Sequence, residues 1–371
     1  MARPPGSTAD DLPRLLYVSP VSAGAPLGGR ALLARLHRDC LAELAGDELF
    51  EYSLDPAQRS SVLAAVRGSI DGITPASSVA VLARIVADGI DAVWLDGSNL
   101  GQLARAIKRT HPTVQVIVFC HNVEARFFAG ALRAAPSLRA AAVLAANWSA
   151  ERLTVNHADV LIALSARDSV GLQRIYGRGA DHILPMAMTD QICGAIGDNT
   201  PVGEAAPLLF AGGAFYANRA GIAWFARKVA PRIALRTQVV GRGMDALGTE
   251  LATVPNIELV GAVDALEPWY RGARAVIAPI FDGSGMKTKV AEALMHGKPV
   301  IGTPEAFSGY GAEVCEGNWV CETADEFVAA IRAIAVQQVK TLDPERRGLY
   351  QRNHSTDATR ARIEKILRSA P

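Results

Sequence analysis

Apolar residues in this chain gather in short continuous runs that alternate with glycine-marked loops and with longer segments of helical character. Nine runs predict β-strands, over 15–19, 92–95, 114–119, 160–164, 208–211, 237–240, 257–260, 275–280 and 299–302. Alternation of polar and apolar positions would indicate strands with one solvent-exposed face. Because most of these runs are continuous, we expect strands that are covered on both faces.

Helical patterns lie between the runs, for example over 30–45, 99–109 and 324–335. This order of elements predicts α/β architecture with parallel, doubly wound sheets. The stretch 189–207 has no apolar period and is followed by a new strand, so it is the predicted domain boundary. We therefore expect two Rossmann-like domains, 1–200 and 201–345, facing across a ligand cleft at the carboxyl ends of their strands. A C-terminal helix over 346–371 is expected to pack back toward the first domain.

Composition narrows the class of protein. The chain has 371 residues, of which 50% are hydrophobic and 20% charged, and its 38 basic and 37 acidic residues give a net charge of +1. This balance argues against a nucleic-acid partner, since phosphate contacts need a basic excess. No apolar run approaches the ~20 residues of a membrane span, and 1–11 lacks the apolar core of a signal peptide. Five scattered cysteines without a C-x-x-C pair predict neither a disulfide scaffold nor a zinc site, and favour the cytoplasm.

Two segments of the first half carry candidate chemistry. The loop after the first strand ends in Gly28 and Gly29, where small residues let backbone amides approach an anion at a helix start. An ordinary flexible loop explains this pattern equally well. His121 follows the strand 114–119 at its carboxyl end, a position that favours a role at the cleft over that of a structural histidine.

The strongest segment is 279–303. A buried strand runs into a Gly-Ser-Gly loop, and the following helix has Lys287 and Lys289 in its first turn. Free amides, the positive end of the helix and Lys287 together suit a pyrophosphate, and Glu292 could accept hydrogen bonds from ribose hydroxyls. Taken singly, each of these side chains fits a solvated helix face. Taken together they favour a ligand.

This segment resembles the donor-binding motif of GT-B glycosyltransferases, particularly the retaining family 4 type. The matching run is Gly-Ser-Gly-Met-Lys-Thr-Lys-Val-Ala-Glu-Ala-Leu, followed by His-Gly-Lys-Pro-Val-Ile-Gly-Thr. Other segments resemble the family's sequence pattern and occur in the same order along the chain. They are 209–213, 216–218, 224–225, 239–243, 256–261 and 270–279. The resemblance covers essentially the whole chain and is more specific in the second half. In the first half it rests on Gly28-Gly29, 121–124 and 164–165.

The resemblance implies an enzyme that moves a sugar from a nucleoside-diphosphate sugar to an acceptor hydroxyl with retention of configuration. It implies that Glu292 holds the ribose, that Lys287 lies beside the diphosphate and that His121 faces the transferred sugar. Arg219 lies where the family often has another diphosphate-binding cation. The remaining donor-binding positions are Gly28, Gly29, Gly213, Gly241, Ser284, Gly285, Met286 and Thr288. Ser284 departs from the family, which has a sugar-contacting Glu there; this leaves the donor sugar open and puts retention slightly in doubt.

The family uses no catalytic metal, in keeping with the lack of a DxD-type cluster in this sequence, so neither metal nor cofactor is expected. The expected partners are the nucleotide-sugar donor and a carbohydrate or lipid-linked acceptor, in surface polysaccharide or glycoconjugate synthesis. The stretch 126–139 mixes arginines with bulky apolar residues. It fits a peripheral contact with an anionic membrane, and it fits better a packed helix with a solvated basic side.

Other functions stay open. Gly241 to Ala246 fits G-x-G-x-x-A after a strand, the fingerprint of an NAD(P)-dependent oxidoreductase, although Gly248 interrupts the helix that should follow. A nucleotide-sugar 2-epimerase of the same fold would bind the same donor, and so would a member of the fold that has lost activity.

Overall fold

In the computed structural model the described residues are 12–20, 28–58, 61–192, 200–251, 254–283 and 285–369. They form two compact units. The first contains the described residues up to Pro185 and those from Thr356 onward, and the second is Met186–Ser355. The N-terminal tail, Cys193 and Ser284 lie outside the described residues. Every described helix is too short or too polar to span a bilayer.

The first unit is built on a sheet of six parallel strands in the order β2-β1-β3-β4-β5-β6. The strands are β1 Leu15–Ser19, β2 Leu49–Ser53, β3 Ala92–Asp96, β4 Gln115–Cys120, β5 Val160–Ala163 and β6 His182–Ile183. The helices are α1 Gly29–Ala45, α2 Val62–Val66, α3 Pro75–Ala87, α4 Gly101–Thr110, α5 Glu124–Ala134, α6 Leu138–His157 and α7 Ala166–Tyr176, with the last helix of the chain, α15 Thr356–Ser369.

The second unit has its own sheet of six parallel strands, in the order β12-β11-β10-β7-β8-β9. The strands are β7 Leu208–Ala211, β8 Thr237–Val240, β9 Ile257–Gly261, β10 Ala275–Ala278, β11 Val300–Gly302 and β12 Trp319–Val320. The helices are α8 Tyr216–Lys228, α9 Gly248–Leu251, α10 Glu267–Gly272, α11 Thr288–Met295, α12 Ala312–Glu316, α13 Ala324–Ala335 and α14 Pro344–Asn353.

The central strands are buried along their whole length, as their continuous apolar runs predict. Every residue of β1, β3, β7 and β10 is buried. Helices cover both faces of each sheet, so the central strands have no face in contact with solvent and carry apolar residues on both sides. The prediction of two parallel, doubly wound α/β sheets is therefore confirmed.

Each sheet reverses its strand order at one place. In the first unit the order turns between β1 and β3, and in the second between β7 and β10. In open α/β sheets ligands bind outside the carboxyl ends of the strands at such a switch point, because the helices on its two sides leave in opposite directions. The loops after β1, β3, β7 and β10 are therefore the places to look for a site.

The division into units differs in detail from the predicted boundaries. The sequence placed the boundary at residue 200, whereas the structure assigns Met186 onward to the second unit. Side-chain and backbone contacts explain the difference. The Met188 amide donates to the His354 carbonyl at 3.0 Å, and Arg347 forms an ion pair with Asp190 at 2.5 Å. These contacts bind the segment after Pro185 to α14.

The C-terminal segment, predicted as one helix over 346–371, forms two helices that belong to different units. α14 packs beside α11 in the second unit, and α15 packs on α1 in the first. The α15 contact includes an ion pair between Arg360 and Glu43, and the Cys40 thiol donates to the Thr356 carbonyl at 3.8 Å.

Candidate functional site

The second unit brings two helix N-termini to its switch point. β7 and β10 are neighbours in the sheet, and α8 and α11 follow them at the carboxyl edge. A Cβ on Gly221 of α8 would lie 1.8 Å from the Pro279 carbonyl oxygen, so the helix rests directly on the loop after β10. A Cβ on Gly241, whose φ is +154°, would lie 2.0 Å from the Gly212 carbonyl oxygen. Only glycine allows these loops to pack so closely.

Lys287 stands at the N-cap of α11 in an ion pair. Its Nζ lies 3.0 Å from Glu305 Oε1 and donates to the Gly285 carbonyl, also at 3.0 Å. The side chain is mostly buried. Gly285 has a φ of +66°, in the left-handed region that favours glycine. The ion pair and the turn together hold the lysine against the start of the helix.

Lys289 is buried two residues further along α11, with 6% of the residue exposed. Its Nζ donates to Asn218 Oδ1 of α8 at 2.9 Å and lies 4.0 Å from the centre of the Phe210 ring. Burial lowers its pKa to about 7, with Glu292 acting to raise it and Lys287 to lower it. The alternative in which Lys289 lies on a solvated helix face therefore does not hold.

Glu292 lies one turn beyond Lys289 and is hydrogen-bonded within the unit. The Tyr270 hydroxyl donates to its Oε2 at 2.8 Å, and the Tyr270 ring stacks on His296 with centroids 4.6 Å apart. Burial raises the pKa of Glu292, while Tyr270 and Lys289 act to lower it. Tyr270 thus fixes one carboxylate oxygen of the residue predicted to hold the ribose.

Several other predicted donor-binding residues belong to the same edge of the second unit. Arg219 is exposed in the first turns of α8, and its guanidinium has no hydrogen-bond or ion-pair partner among the described residues. Gly213 is exposed, and its carbonyl accepts from Asn218 Nδ2 at 2.8 Å. Met286 is buried, and Thr288 is the first residue of α11. The prediction for Ser284 falls outside the described residues.

Exposed aromatic side chains flank this edge. Phe215 and Tyr216 are 52% and 50% exposed and lie with ring centroids 4.4 Å apart. The Tyr216 hydroxyl donates to Asp282 Oδ2 at 3.4 Å, and Phe281 beside it is 48% exposed. This rim offers flat apolar surfaces next to the cations at the helix starts.

The first unit carries a buried polar chain across three neighbouring strands. Asp96, the last residue of β3, accepts from the Ser19 hydroxyl at 3.0 Å, and its other oxygen lies 2.9 Å from His121 Nε2. His121 is 5% exposed and Asp96 is fully buried. Burial acts to raise the pKa of Asp96, but His121, His37 and Arg30 together outweigh burial, so the pKa lies below its ordinary value. An ionised Asp96 accepts a hydrogen bond from a protonated Nε2 of His121, and this hydrogen bond orients the imidazole.

Two buried carboxyl groups organise the start of α5. Glu151 accepts from the Glu124 and Ala125 amides at 2.9 and 3.1 Å and from the Tyr176 hydroxyl at 2.7 Å. It therefore caps α5 from another helix. Glu124 itself is 7% exposed, and burial raises its pKa to about 7, with Arg30 acting to lower it.

Gly28 and Gly29 stand at the start of α1, after β1. Gly28 is the N-cap with an extended backbone, and nothing lies within 4 Å of a Cβ placed on it. The structure thus places the predicted site residues in two groups. Gly28, Gly29 and His121 lie in the first unit, and the others that the structure describes lie in the second.

The dinucleotide fingerprint lacks its structural context. The motif requires a strand, a tight turn and an α-helix whose N-terminus holds the pyrophosphate. After Gly241 the described chain forms a 3₁₀ turn, Met244–Leu247, and then the four-residue α9. The motif also follows β8 and not β7, so it lies away from the switch point. Among the described residues no group of three or more His, Cys, Asp or Glu could hold a metal ion.

Sequence reasoning missed Asp96, Glu305, Tyr270 and the burial of Lys289. A carboxylate that ends the otherwise apolar run Ala-Val-Trp-Leu-Asp is a signal for Asp96. The other three depend on contacts between distant segments. Tyr270 lies 22 residues from Glu292, and Asn218 lies 71 residues from Lys289.

Comparison with known proteins gives a family match in the second half. Residues 206–336 match the family described as glycosyl transferases group 1. This segment contains β7 to α13, and therefore both switch-point loops of the second unit. No curated protein matches the chain in sequence.

Solved structures match nearly the whole chain. Sucrose-phosphate synthase from Thermosynechococcus elongatus superposes with a TM-score of 0.72 at 16% identity, covering 95% of this chain and 98% of that one. HepE from Anabaena, solved in complex with UDP, gives a TM-score of 0.66 at 13% identity, covering 96% and 99%. The same Anabaena protein in complex with UDP-glucose gives 0.63 at 13% identity, covering 96% and 99%.

The two sheets, their strand orders and these superpositions define the GT-B fold. With the family match over 206–336, the chain is a glycosyltransferase of this fold, similar to the family 4 type. The expected fold and enzyme class are confirmed.

Proposed function

We propose that this protein transfers a sugar from a nucleoside-diphosphate sugar to an acceptor hydroxyl, with retention of configuration and without a metal ion. The observation that carries the proposal is the meeting of two helix N-termini, α8 and α11, with basic side chains at one switch point. A switch point of this kind favours binding of a diphosphate, because the unpaired backbone amides and the positive ends of both helix dipoles point toward the ligand position. The structures of HepE with UDP and with UDP-glucose support this choice of ligand.

The leaving diphosphate gains charge as the bond to the sugar breaks. In the proposed reaction Lys287, Arg219 and the amides around Gly285 stabilise that charge, which is the role a metal ion has in other transferases. Glu292 would accept hydrogen bonds from the ribose through the oxygen that Tyr270 leaves available. Gly213 and Gly241 keep side chains away from the donor. The remaining donor-binding positions are Met286, Thr288 and Ser284.

The acceptor is proposed to bind the first unit. His121, held by Asp96, would face the transferred sugar, and the amides at Gly28 and Gly29 would approach the donor phosphates. Attack of the acceptor hydroxyl on the face that the diphosphate leaves would retain the configuration of the sugar. The hydroxyl proton would go to the departing diphosphate oxygen, so that no buried carboxylate base is required.

The acceptor is proposed to be a carbohydrate or a lipid-linked saccharide, in polysaccharide or glycoconjugate synthesis in the cytoplasm. The junction of α5 and α6 supports a peripheral contact with an anionic membrane. Leu138 is 92% exposed there, and Arg126, Arg133 and Arg139 are exposed around it. Such a surface binds anionic lipid through apolar insertion and charge together.

Vesicle sedimentation tests the membrane contact. We expect the chain to pellet with anionic vesicles at low salt and to stay in solution at high salt, because exposed charges are screened. A Leu138→Ser/Arg139→Ser variant should pellet less. Absence of pelleting at low salt would contradict the contact.

Thermal shift with nucleotides tests the donor site directly. A ligand that binds only the folded chain raises its melting temperature, so UDP or another nucleoside diphosphate should raise it, whereas NAD should not. A shift with NAD alone would favour the oxidoreductase. A 2-epimerase would bind the diphosphate but would convert a nucleotide sugar without any acceptor.

A further inference from the structure

Lys289 is a buried amine at the edge where the donor is proposed to bind. A lysine ammonium has three protons to donate, and the described residues offer it one acceptor, Asn218 Oδ1 at 2.9 Å, and the face of the Phe210 ring. No described carboxylate forms an ion pair with it. A buried lysine without a counter-ion is costly to keep charged.

The amine lies under the turn that follows β7. A Cβ placed on Gly212, whose φ is +158°, would lie 3.3 Å from Lys289 Nζ and 2.9 Å from Asn218 Nδ2. Glycine at this position therefore leaves the two polar groups without a side chain over them. Gly213, the next residue, is exposed. The amine thus lies directly beneath the turn that leads into α8.

We propose that Lys289 binds the donor's diphosphate from beneath the turn at Gly212 and Gly213, and that the diphosphate recruits a proton to this amine as it binds. The inference rests on the proposed function, since the diphosphate is the ligand. The proton comes from the solvent and returns to it when the nucleotide diphosphate leaves. Lys289 would thereby add a positive charge only while an anion occupies the site.

The charges around Lys289 agree with this role. On its own helix Glu292 favours the charged amine and Lys287 disfavours it, while burial outweighs both and sets the pKa at about 7. The elements packed against it, β7 and α8, contribute the neutral groups of Phe210 and Asn218. Lys287 differs, because Glu305 already balances its charge at 3.0 Å. A diphosphate would be the missing counter-ion of Lys289.

Calorimetry of nucleotide binding tests the proposal. The full chain is titrated with UDP, GDP, ADP and CDP at pH 8, where their terminal phosphates are fully ionised, in two buffers of different ionisation enthalpy. The difference in heat between the buffers gives the number of protons taken up. With a pKa of about 7 in the free chain, about 0.9 proton should be taken up per nucleotide bound.

Three variants assign the proton to its residue. Lys289→Met removes the amine at nearly constant volume and should abolish the uptake and weaken binding about 10- to 100-fold. Lys289→Arg stays charged at every pH tested and should bind with no uptake. Lys287→Met is the matched control on the same helix turn. It removes a cation that is already paired, so the affinity should fall while the uptake persists at a reduced value, because loss of Lys287 raises the pKa of Lys289.

The outcomes separate the inference from the proposed function. Uptake in the wild type and in Lys287→Met, with none in either Lys289 variant, supports the inference. Nucleotide binding without uptake, or unchanged uptake in Lys289→Met, overturns it and leaves the proposed function standing. If no nucleoside diphosphate binds at all, the proposed function fails and the inference fails with it. If neither Lys289 variant folds, the affinity of the wild type for UDP is measured at pH 8 and pH 9. One linked proton requires that affinity to change by about tenfold over this range, so a constant affinity would overturn the inference.

Discussion

At the scale of single residues, the two units hold their polar groups in different ways. In the first unit Asp96 joins Ser19 and His121 into one buried chain, so each group has a defined partner. In the second unit two of the three cations at the helix starts, Lys289 and Arg219, form no ion pair with a described carboxylate. Lys287 has a carboxylate, Lys289 has one amide oxygen, and Arg219 is exposed. Incomplete pairing of cations at a helix start is the arrangement that an anionic ligand completes.

Replacing Lys287 with alanine should lower the rate of sugar transfer by about 100- to 1000-fold, the usual cost of one lost group that stabilises developing charge. The change also removes the ion pair between Lys287 and Glu305. Steady-state release of nucleoside diphosphate from the true donor measures the effect. Lys228→Ala is the matched control, because Lys228 is exposed at the far end of α8. Unchanged turnover in Lys287→Ala would remove this residue from the site.

Glu124 gives a prediction about stability and pH. Its folded pKa of about 7 lies above the ordinary value of 4.5, so the folded chain holds a proton that the unfolded chain loses between pH 4.5 and 7. Stability therefore falls as pH rises through this window. Glu124→Gln removes that loss and should make the chain more stable than the wild type by about 1–3 kcal/mol at pH 8.

Urea unfolding at pH 5 and pH 8 checks this prediction. The wild type and Glu124→Gln should have similar midpoints at pH 5 and separate at pH 8. Glu316→Gln, on an exposed residue at the end of α12, is the control and should follow the wild type at both pH values. A Glu124→Gln variant less stable than the wild type at pH 8 would show that the ionised carboxylate stabilises the fold.

At the scale of elements, the proposed donor site depends on how α8 lies against the loop after β10. Gly221 allows that contact, since its backbone passes the Pro279 carbonyl without room for a methyl group. The start of α11 is fixed from another side, because the Tyr310 hydroxyl donates to the Lys287 carbonyl at 2.7 Å and accepts from the Ala291 amide at 3.1 Å. Both helices therefore reach the switch point in fixed positions.

Gly221→Ala should move α8 away from the loop after β10. A Cβ 1.8 Å from a carbonyl oxygen cannot be accommodated without a backbone shift, so we expect a loss of about 1–3 kcal/mol of stability and weaker binding of UDP. Gly130→Ala is the matched control inside a helix, with nothing within 4 Å of the new methyl group. It should be neutral or slightly stabilising, because alanine favours helix. Melting temperatures with and without UDP measure both effects.

The sequence predicted the buried strands well and missed three of the four edge strands. All nine predicted runs form strands, with bounds shifted by no more than two residues. β2 was missed because it is partly exposed and lies at the edge of its sheet, so its sequence Leu-Phe-Glu-Tyr-Ser lacks a continuous apolar run. β6 and β12 have two residues each, too few to form a pattern.

The candidate site was predictable where it follows from position along the chain. Lys287 and Gly285 could be named because a loop that joins a buried strand to a helix lies at a carboxyl edge. Partners across the fold could not be named. Neither the Glu305 contact of Lys287 nor the Asn218 contact of Lys289 leaves a local signal, since each depends on loops that pack together after folding.

At the scale of the whole molecule, each unit has its own six-stranded sheet and its own switch point. The chain leaves the first unit after Pro185 and returns to it at Thr356. The return was predictable only in outline, because the polar segment that contains α14 and α15 resembles one continuous helix in sequence. The two units share the proposed work, with donor residues in the second and His121 in the first.

Sugar transfer itself tests the central claim. The full chain is incubated with a panel of uridine, guanosine and adenosine diphosphate sugars, with candidate saccharide acceptors and with EDTA present throughout. Release of the nucleoside diphosphate is measured, and the anomeric configuration of the product is read by NMR. We predict acceptor-dependent release from one donor, insensitivity to EDTA and a product with the donor's configuration. Release that requires a metal ion, or a product of inverted configuration, would contradict the proposed mechanism, and absence of release from every donor would contradict the proposed function.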